Sequence, residues 1–426
     1  MPATRTALLI AFHYPPCAVS SGLQRTLSFS IHLRRHNWRP IVLSVAPFAY
    51  PRVGSGQMQD IPADVLVART PALDATRHLA PGGRYWRRMA IPDAWASWWL
   101  TAVPRGLQLI ARHQVDAIWS TYPIATAHRI GATLARLTDR PWVADFRDPM
   151  VEHFPETGET FPKDPALRNA RLKIEALTAQ RAAGAVFCTD SARLIFAERH
   201  GAFPRENLDV IPNGYEEGMF DAAVRKPRAG PRVLLHSGTI YPGMDRDPSQ
   251  LFCALGRLAA RGMISPQDFE LRLRDPGNVD HFRKLAADHG VEALVSFAGP
   301  LPYREALAEM CNADALLVLQ GLTSNPAVPA KLYEYLRAGR PVIALVHPAG
   351  ETARTLHRVG IDSMADLTDA GAIAALVSRW LMDPTRLEAG LPSAGMVRAY
   401  SREALTGQLA ARLDQLVESQ PPRRPA

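Results

Sequence analysis

Lys331 and Glu334 stand three residues apart in the stretch NPAVPAKLYEYLRAGRPVIAL, residues 325–345. The loop before them holds Pro326 and Pro329, and a proline disfavours the α conformation in the residue that precedes it. The pattern then predicts a short helix over 331–337, stopped by Gly339 and Pro341, and a buried strand over 341–346. This spacing puts Lys331 and Glu334 near a helix N-terminus, where backbone N–H groups and the helix dipole favour an anion. Lys331 would pair there with a phosphate, and Glu334 would accept from sugar hydroxyls. An ordinary surface connection with solvated charges fits the same residues equally well.

The elements that must hold such a site alternate strand and helix. Short apolar runs at 6–12, 39–46, 64–68, 116–120, 141–146, 185–188 and 208–212 read as strands of a buried parallel sheet. Helical patterns lie between them, one through Leu27, Ile31 and Leu33 and others near 125–137 and 166–182. The stretch YEEGMFDAAVRKPRAGP, 215–231, is polar and Pro/Gly-containing and reads as an interdomain linker. The alternation then restarts, with strands at 232–236, 270–274, 295–298 and 315–319. Helices near 248–261, 279–289 and 303–312 separate them, and two more follow near 351–358 and 370–382. A last amphipathic helix, 403–417, sets Leu405, Leu409, Leu413 and Leu416 on one face. Two such alternations predict an α/β chain of two doubly wound sheets, with the ligand cleft between them.

A chain of 426 residues suits two domains better than one core. The basic, apolar N-terminus MPATRTALLIAF hints at a signal peptide but runs into HYPP without a small-residue cleavage site, so a first strand is the expectation. Cysteines 17, 188, 253 and 311 are far apart and form no CxxC pair, which argues against a zinc site or disulfide framework and fits a reducing cytoplasm. The net charge of +8 could serve nucleic acid, an anionic membrane or acidic substrates. No compact basic run and no nucleic-acid motif accompanies it, so nucleic acid is not expected as a partner.

Residues 82–112 break the rhythm. Arg84, Arg87 and Arg88 sit among Tyr85 and Trp86, and Trp95, Trp98 and Trp99 follow at one-face helical spacing. Such a segment suits a membrane interface. Tryptophans packed into the domain beneath solvated arginines are the other reading.

Four motifs carry a resemblance that covers nearly the whole chain: HYPP…SSGLQR at 13–25, WVADFRDP at 142–149, VIPNGY at 210–215, and SGTIYPG with VPAKLYEYLRAGRPVIAL in the second half. Together with PDAWASWWLTAVPRG at 92–106, they resemble the retaining glycosyltransferases of family 4, cell-surface polysaccharide branch. The resemblance implies a GT-B fold: an acceptor-binding Rossmann-like domain at 1–214, a nucleotide-sugar-binding one at 231–398, a helix at 399–418 packing back on the first domain, and a disordered tail at 419–426. It implies a nucleotide-sugar co-substrate, UDP- or GDP-linked, and a lipid-linked or glycan acceptor at the inner face of the cytoplasmic membrane, with no cofactor required.

Residue by residue, Glu334 matches the second glutamate of the E-x7-E signature, which holds the donor ribose, while Pro326 stands where the first glutamate is expected. Lys331 would approach the diphosphate. Gly238 matches a glycine where backbone passes close to the phosphates. Thr239 replaces the usual arginine, leaving Arg246 as the candidate second cation. Gly299 and Leu301 occupy the base-holding loop, and Gly22 would face the diphosphate with Arg25 behind it. Asp145, Arg147 and Asp148 lie where the family carries a strand-end histidine near the donor sugar and are the catalytic candidates; a structural ion-pair cluster fits them too. Arg25, Arg87, Arg88, Trp95, Trp98 and Trp99 are the acceptor and membrane candidates. Asp245-Arg246-Asp247 spells D-x-D but is read as a loop feature, with no metal. A sugar-nucleotide epimerase of the same architecture and an inactive sugar-nucleotide-binding protein are the competing readings. Products formed from donor alone would mark the first, and donor binding without turnover the second.

Overall fold

Apolar runs in the first half become strands, and those in the middle of the sheet are buried on both faces. In the computed structural model, residues 4–18, 21–54, 56–154, 158–221, 230–243 and 245–420 are described. The strands are β1 (Arg5–Ile10), β2 (Trp38–Val45), β3 (Leu66–Thr70), β4 (Ala117–Thr121) and β5 (Trp142–Arg147). Next comes a small antiparallel hairpin, β6 (Glu152–Phe154) and β7 (Glu159–Phe161), of which the sequence pattern gives no sign. With β8 (Gly184–Phe187) and β9 (Leu208–Val210), a parallel seven-stranded sheet forms in the order β3-β2-β1-β4-β5-β8-β9.

In the second half, β10 (Arg232–Ser237), β11 (Phe269–Arg274), β12 (Val295–Ala298), β13 (Ala315–Gln320), β14 (Val342–Val346) and β15 (Met364–Ala365) form a parallel sheet ordered β12-β11-β10-β13-β14-β15. Its strands alternate in the period of two that a pleated sheet requires. Leu234, Leu317 and Ile343 enter one core, whereas Val233, Leu235, Leu316 and Val318 enter the core on the other face. Both sheets reverse their order beside the first strand, at β1/β4 and at β10/β13. In such sheets ligands bind outside the carboxyl ends of the strands at that switch point.

The chain divides into two compact units, Met1–Asn213 with Arg402–Ala426, and Gly214–Ser401. The C-terminal helix, Arg402–Glu418, thus returns to the first unit, as expected. Leu405, Leu409, Leu413 and Leu416 enter the core that contains Leu23, Leu27 and Leu33. A buried leucine contributes about 1.5–3 kcal/mol, so this helix is an integral part of that unit. Asp414 seals its edge by accepting from Arg5 Nη1 at 2.5 Å and Trp38 Nε1 at 3.1 Å.

Residues 215–220 are not the open linker that their polarity suggests. Tyr215 and Phe220 are buried edge to face in the second unit, and the Tyr215 N–H donates to the Tyr400 carbonyl at 3.2 Å. Residues 222–229 of the expected linker and 421–426 of the expected tail lie outside the described residues. Among the described residues no helix is long and apolar enough to cross a membrane.

Candidate functional site

The carboxyl end of β10 and the helix Lys331–Ala338 meet at one set of side chains. The helix buries Leu332, Tyr333, Tyr335 and Leu336, and Gly339 closes it in the left-handed conformation at φ +63°. The buried Tyr335 hydroxyl accepts the Ser237 N–H at 3.0 Å, fastening the helix to the end of β10. Lys331, in the first turn, therefore lies over the backbone of Gly238. Gly238 has φ +101°, and a Cβ built on it would stand 3.2 Å from Lys331 Nζ. The absence of a side chain leaves room for the ammonium here.

Lys331 Nζ is 3.2 Å from His236 Nε2. Burial first, and then the Arg246 charge, lower the Lys331 pKa to about 7, with Glu334 opposing them. Arg246 is half-buried. Its Nη1 donates to the Thr239 carbonyl at 3.2 Å, its Nε is 3.4 Å from Asp245, and its guanidinium lies over the Tyr241 ring at 5.1 Å. Glu334, also half-buried, accepts from the Tyr303 hydroxyl at 2.6 Å. Lys331, Glu334, Gly238, Thr239 and Arg246 are thus brought together, two cations beside a carboxylate with a fixed orientation. Gly299 and Leu301 lie in the loop after β12, where Arg274 Nη1 donates to the Gly299 carbonyl at 2.6 Å.

The D-x-D carboxylates are engaged locally. Asp245 accepts the Ser324 hydroxyl, and Asp247 accepts the Ser249 N–H at 2.8 Å at the start of the helix Ser249–Ala260. Among the described residues no group of three or more His, Cys, Asp or Glu could hold a metal ion.

In the first unit the structure corrects two assignments. Asp145 is fully buried, and its carboxylate accepts from Arg25 Nε at 3.0–3.1 Å, Arg25 Nη2 at 2.7 Å and the Thr121 hydroxyl at 2.7 Å. Arg25 is 5% exposed at its side chain and spends Nη1 on the Pro212 carbonyl at 3.0 Å. Asp145 is therefore not a catalytic group, nor Arg25 an acceptor contact, because each saturates the other in the core. Gly22 lies in the first turn of the helix Ser21–His32 rather than in the loop before it.

Arg147 is different. The β5/β8 register shifts between Asp145 and Arg147, and Arg147 adopts φ +49°, a conformation that a non-glycine residue keeps only when its surroundings impose it. Its side chain is buried, with Nη1 3.5 Å from the Tyr122 carbonyl. Half-buried His13, after β1, is lowered to about 4 by burial and then by the Arg147 charge, so it is neutral at pH 7. Asp148 faces solvent.

The tryptophans are corrected as well. The helix begins at Trp98 and runs to His113, so Trp95 is not on its face. Trp98 is fully buried, its Nε1–H donating to Thr70 Oγ1 at 2.9 Å. Trp95 packs on Phe12 at 4.6 Å, and Trp99 donates to Thr133 Oγ1 at 3.0 Å beneath Arg129. All three pack within the first unit, Trp98 completely and Trp95 and Trp99 in part. The exposed aromatic is Trp86, 80% accessible, with Tyr85, Met89, Arg84, Arg87 and Arg88 also exposed, Arg87 pairing with Asp164.

Two residues of interest escape sequence reasoning. His236 had a signal, a histidine inside an apolar strand just before SGT. Tyr303 had none.

This is the fold of the GT-B glycosyltransferases, with two Rossmann-like domains. Residues 24–214 match the family model of the glycosyl transferase 4-like domain. A comparison with curated protein sequences gives no match. Among solved structures, HepE of Anabaena in complex with UDP is 17% identical, with 96% of this chain and 100% of that one covered and a TM-score of 0.66; HepE has also been solved with UDP-glucose. A glycosyltransferase from Rickettsia africae is 12% identical, covering 98% and 100%, with a TM-score of 0.67. WaaG, a glycosyltransferase involved in lipopolysaccharide biosynthesis, is 13% identical, covering 95% and 99%, with a TM-score of 0.63. The family model thus matches the first unit, and the solved structures match the two-domain fold of the whole chain.

Proposed function

We propose that this chain moves a sugar from a UDP- or GDP-linked donor to a lipid-linked or glycan acceptor, with retention, in surface polysaccharide assembly. The observation that carries the reading is the convergence of Lys331, Arg246, Gly238 and Glu334 at the switch point of the second sheet. Lys331 over a glycine backbone, with Arg246 on the next residue's carbonyl, suits a diphosphate, and a carboxylate oriented by Tyr303 suits a pair of ribose hydroxyls. Nucleotide-sugar complexes of HepE, a protein of the same fold, support a donor of this class.

Lys331 and Arg246 would stabilise the charge that grows on the departing diphosphate. On a retaining course the phosphate oxygen leaves the anomeric carbon as the acceptor oxygen bonds to it from the same face. The leaving phosphate takes the acceptor's proton, so the protein's main task is positioning. Arg147 and Asp148, at the end of β5, are the first unit's candidates for meeting the transferred sugar or the acceptor. No metal is needed in this scheme, since Asp245 and Asp247 serve their own loop. Work at the inner membrane face belongs to the same reading, through Trp86 and its arginines.

A thermal-shift screen over UDP, GDP and their sugars tests the donor half, because a ligand that binds the folded state raises the melting temperature by mass action. Glu334→Ala and Lys331→Ala are expected to weaken that shift and cripple transfer while leaving the fold intact, and EDTA to leave transfer unchanged. Wild-type transfer in both variants would sink the site.

A further inference from the structure

His236 is held from two sides. It ends up inside the sheet near the carboxyl end of β10, 1% exposed, and its Nδ1 lies 3.0 Å from the Leu317 carbonyl of neighbouring β13. A carbonyl oxygen only accepts, so Nδ1 carries the hydrogen and Nε2 presents a lone pair to Lys331 Nζ at 3.2 Å. The other charged groups acting on that amine are Arg246, from the loop after β10, and Glu334, from its own helix. His236 in turn feels burial most, then Lys331 and Arg246, and is kept neutral far below the usual imidazole range. An aliphatic amine beside a neutral imidazole and a guanidinium is the group in this set that can still change its charge near pH 7.

We propose that His236 is a positioning residue of the donor site: its Nε2 aims Lys331 Nζ over Gly238, and the amine draws a proton from solvent when a sugar diphosphate binds. The inference rests on the donor-site reading above and deepens it. An incoming diphosphate replaces lost solvation with two negative charges beside the amine, which favours the ammonium form. The proton adds to Lys331 Nζ, while His236 Nε2 remains the acceptor that aims it. Above pH 7 each unit of pH then weakens binding by about tenfold, because the proton must be drawn from an increasingly dilute supply.

Isothermal titration calorimetry of the full chain with UDP-glucose and with GDP-mannose, in paired phosphate-free buffers of low and high ionisation enthalpy that hold each pH, reads the protons directly. Neither sugar diphosphate titrates between pH 6 and 8, so a buffer-dependent enthalpy reports the protein. With burial and the Arg246 charge lowering Lys331 toward neutral pH in the free protein, the expected uptake is a fraction of a proton that grows as pH rises from 6 to 8. Lys331→Met is expected to lose the uptake. His236→Leu is expected to weaken binding by about tenfold or more, and His236→Gln, whose amide oxygen can stand in for Nε2, by about threefold or less. Binding with no buffer dependence from pH 6 to 8 overturns the proposal and leaves the donor site standing. Leu and Gln variants that bind alike also overturn it. Failure of both sugar diphosphates to bind would overturn the donor-site reading, and this proposal with it.

Discussion

Replacing Asp145 with asparagine keeps the size of the side chain and removes its charge. The carboxylate accepts three N–H contacts from Arg25 and one O–H from Thr121, all at 2.7–3.1 Å, with side-chain exposures of 5% for Arg25 and 0% for Asp145. Bonds to charged groups are worth about 1.5–3 kcal/mol each, but they share one carboxylate and do not add. The governing quantity is the cost of leaving a guanidinium buried without its counter-charge, about 3–5 kcal/mol. Against a domain stability of about 5–15 kcal/mol, that is from about a fifth of the total to all of it. Arg25→Met should cost less than Asp145→Asn, and Arg25→Met with Asp145→Leu should return to within about 1 kcal/mol of wild type, since a well-packed apolar pair replaces a buried ion pair at little cost. Guanidinium denaturation followed by tryptophan fluorescence is the assay. Of the eight tryptophans all but Trp380 lie in the first unit, so the signal reports the unit in question. Unchanged denaturation midpoints alongside lost transfer in Asp145→Asn would refute the reasoning and return Asp145 to the reaction.

Gly238→Ala should cost about 1–3 kcal/mol of stability from its positive φ. Its Cβ, 3.2 Å from Nζ, also displaces Lys331. Calorimetry should therefore show weaker sugar-diphosphate binding in the wild-type background and little further loss on top of Lys331→Ala; equal losses in both backgrounds would show that the two residues act separately. For the exposed segment at 84–89, co-sedimentation with anionic vesicles should fall in Arg87→Glu/Arg88→Glu by about 1 kcal/mol per arginine, and fall again with Trp86→Ser. A wild-type chain that stays in the supernatant at low salt would remove the membrane from the picture.

The strands were legible because a parallel sheet covered on both faces writes itself as apolar runs, and every run read as a strand in 232–236 and 315–319 is one. The helix at 331 was legible through its proline-rich approach and its Gly339 stop. The hairpin β6–β7 was not, since three-residue strands carry no period. Trp95, Trp98 and Trp99 have helical spacing, yet the helix starts only at Trp98; spacing alone does not say where a helix begins. The roles of Asp145 and Lys331 depended on partners 120 and 95 residues away, Arg25 and His236. No local pattern encodes such pairs, and they separate a core ion pair from an amine set beside a buried imidazole.

The return of Arg402–Glu418 to the first unit carries a consequence for how the protein is made. A ribosome delivers residues 5–210, with all strands of the first sheet, well before the helix that covers Leu23 and Leu27. The second unit, unbroken in sequence from Gly214 to Ser401, is completed in the interval. The nascent first unit must therefore wait with an apolar groove open, and the partner that closes it is the chain's own last helix. A chain cut short after the second unit would keep Lys331, Arg246 and Glu334 yet leave that groove uncovered, an exposed surface of the kind chaperones and proteases recognise.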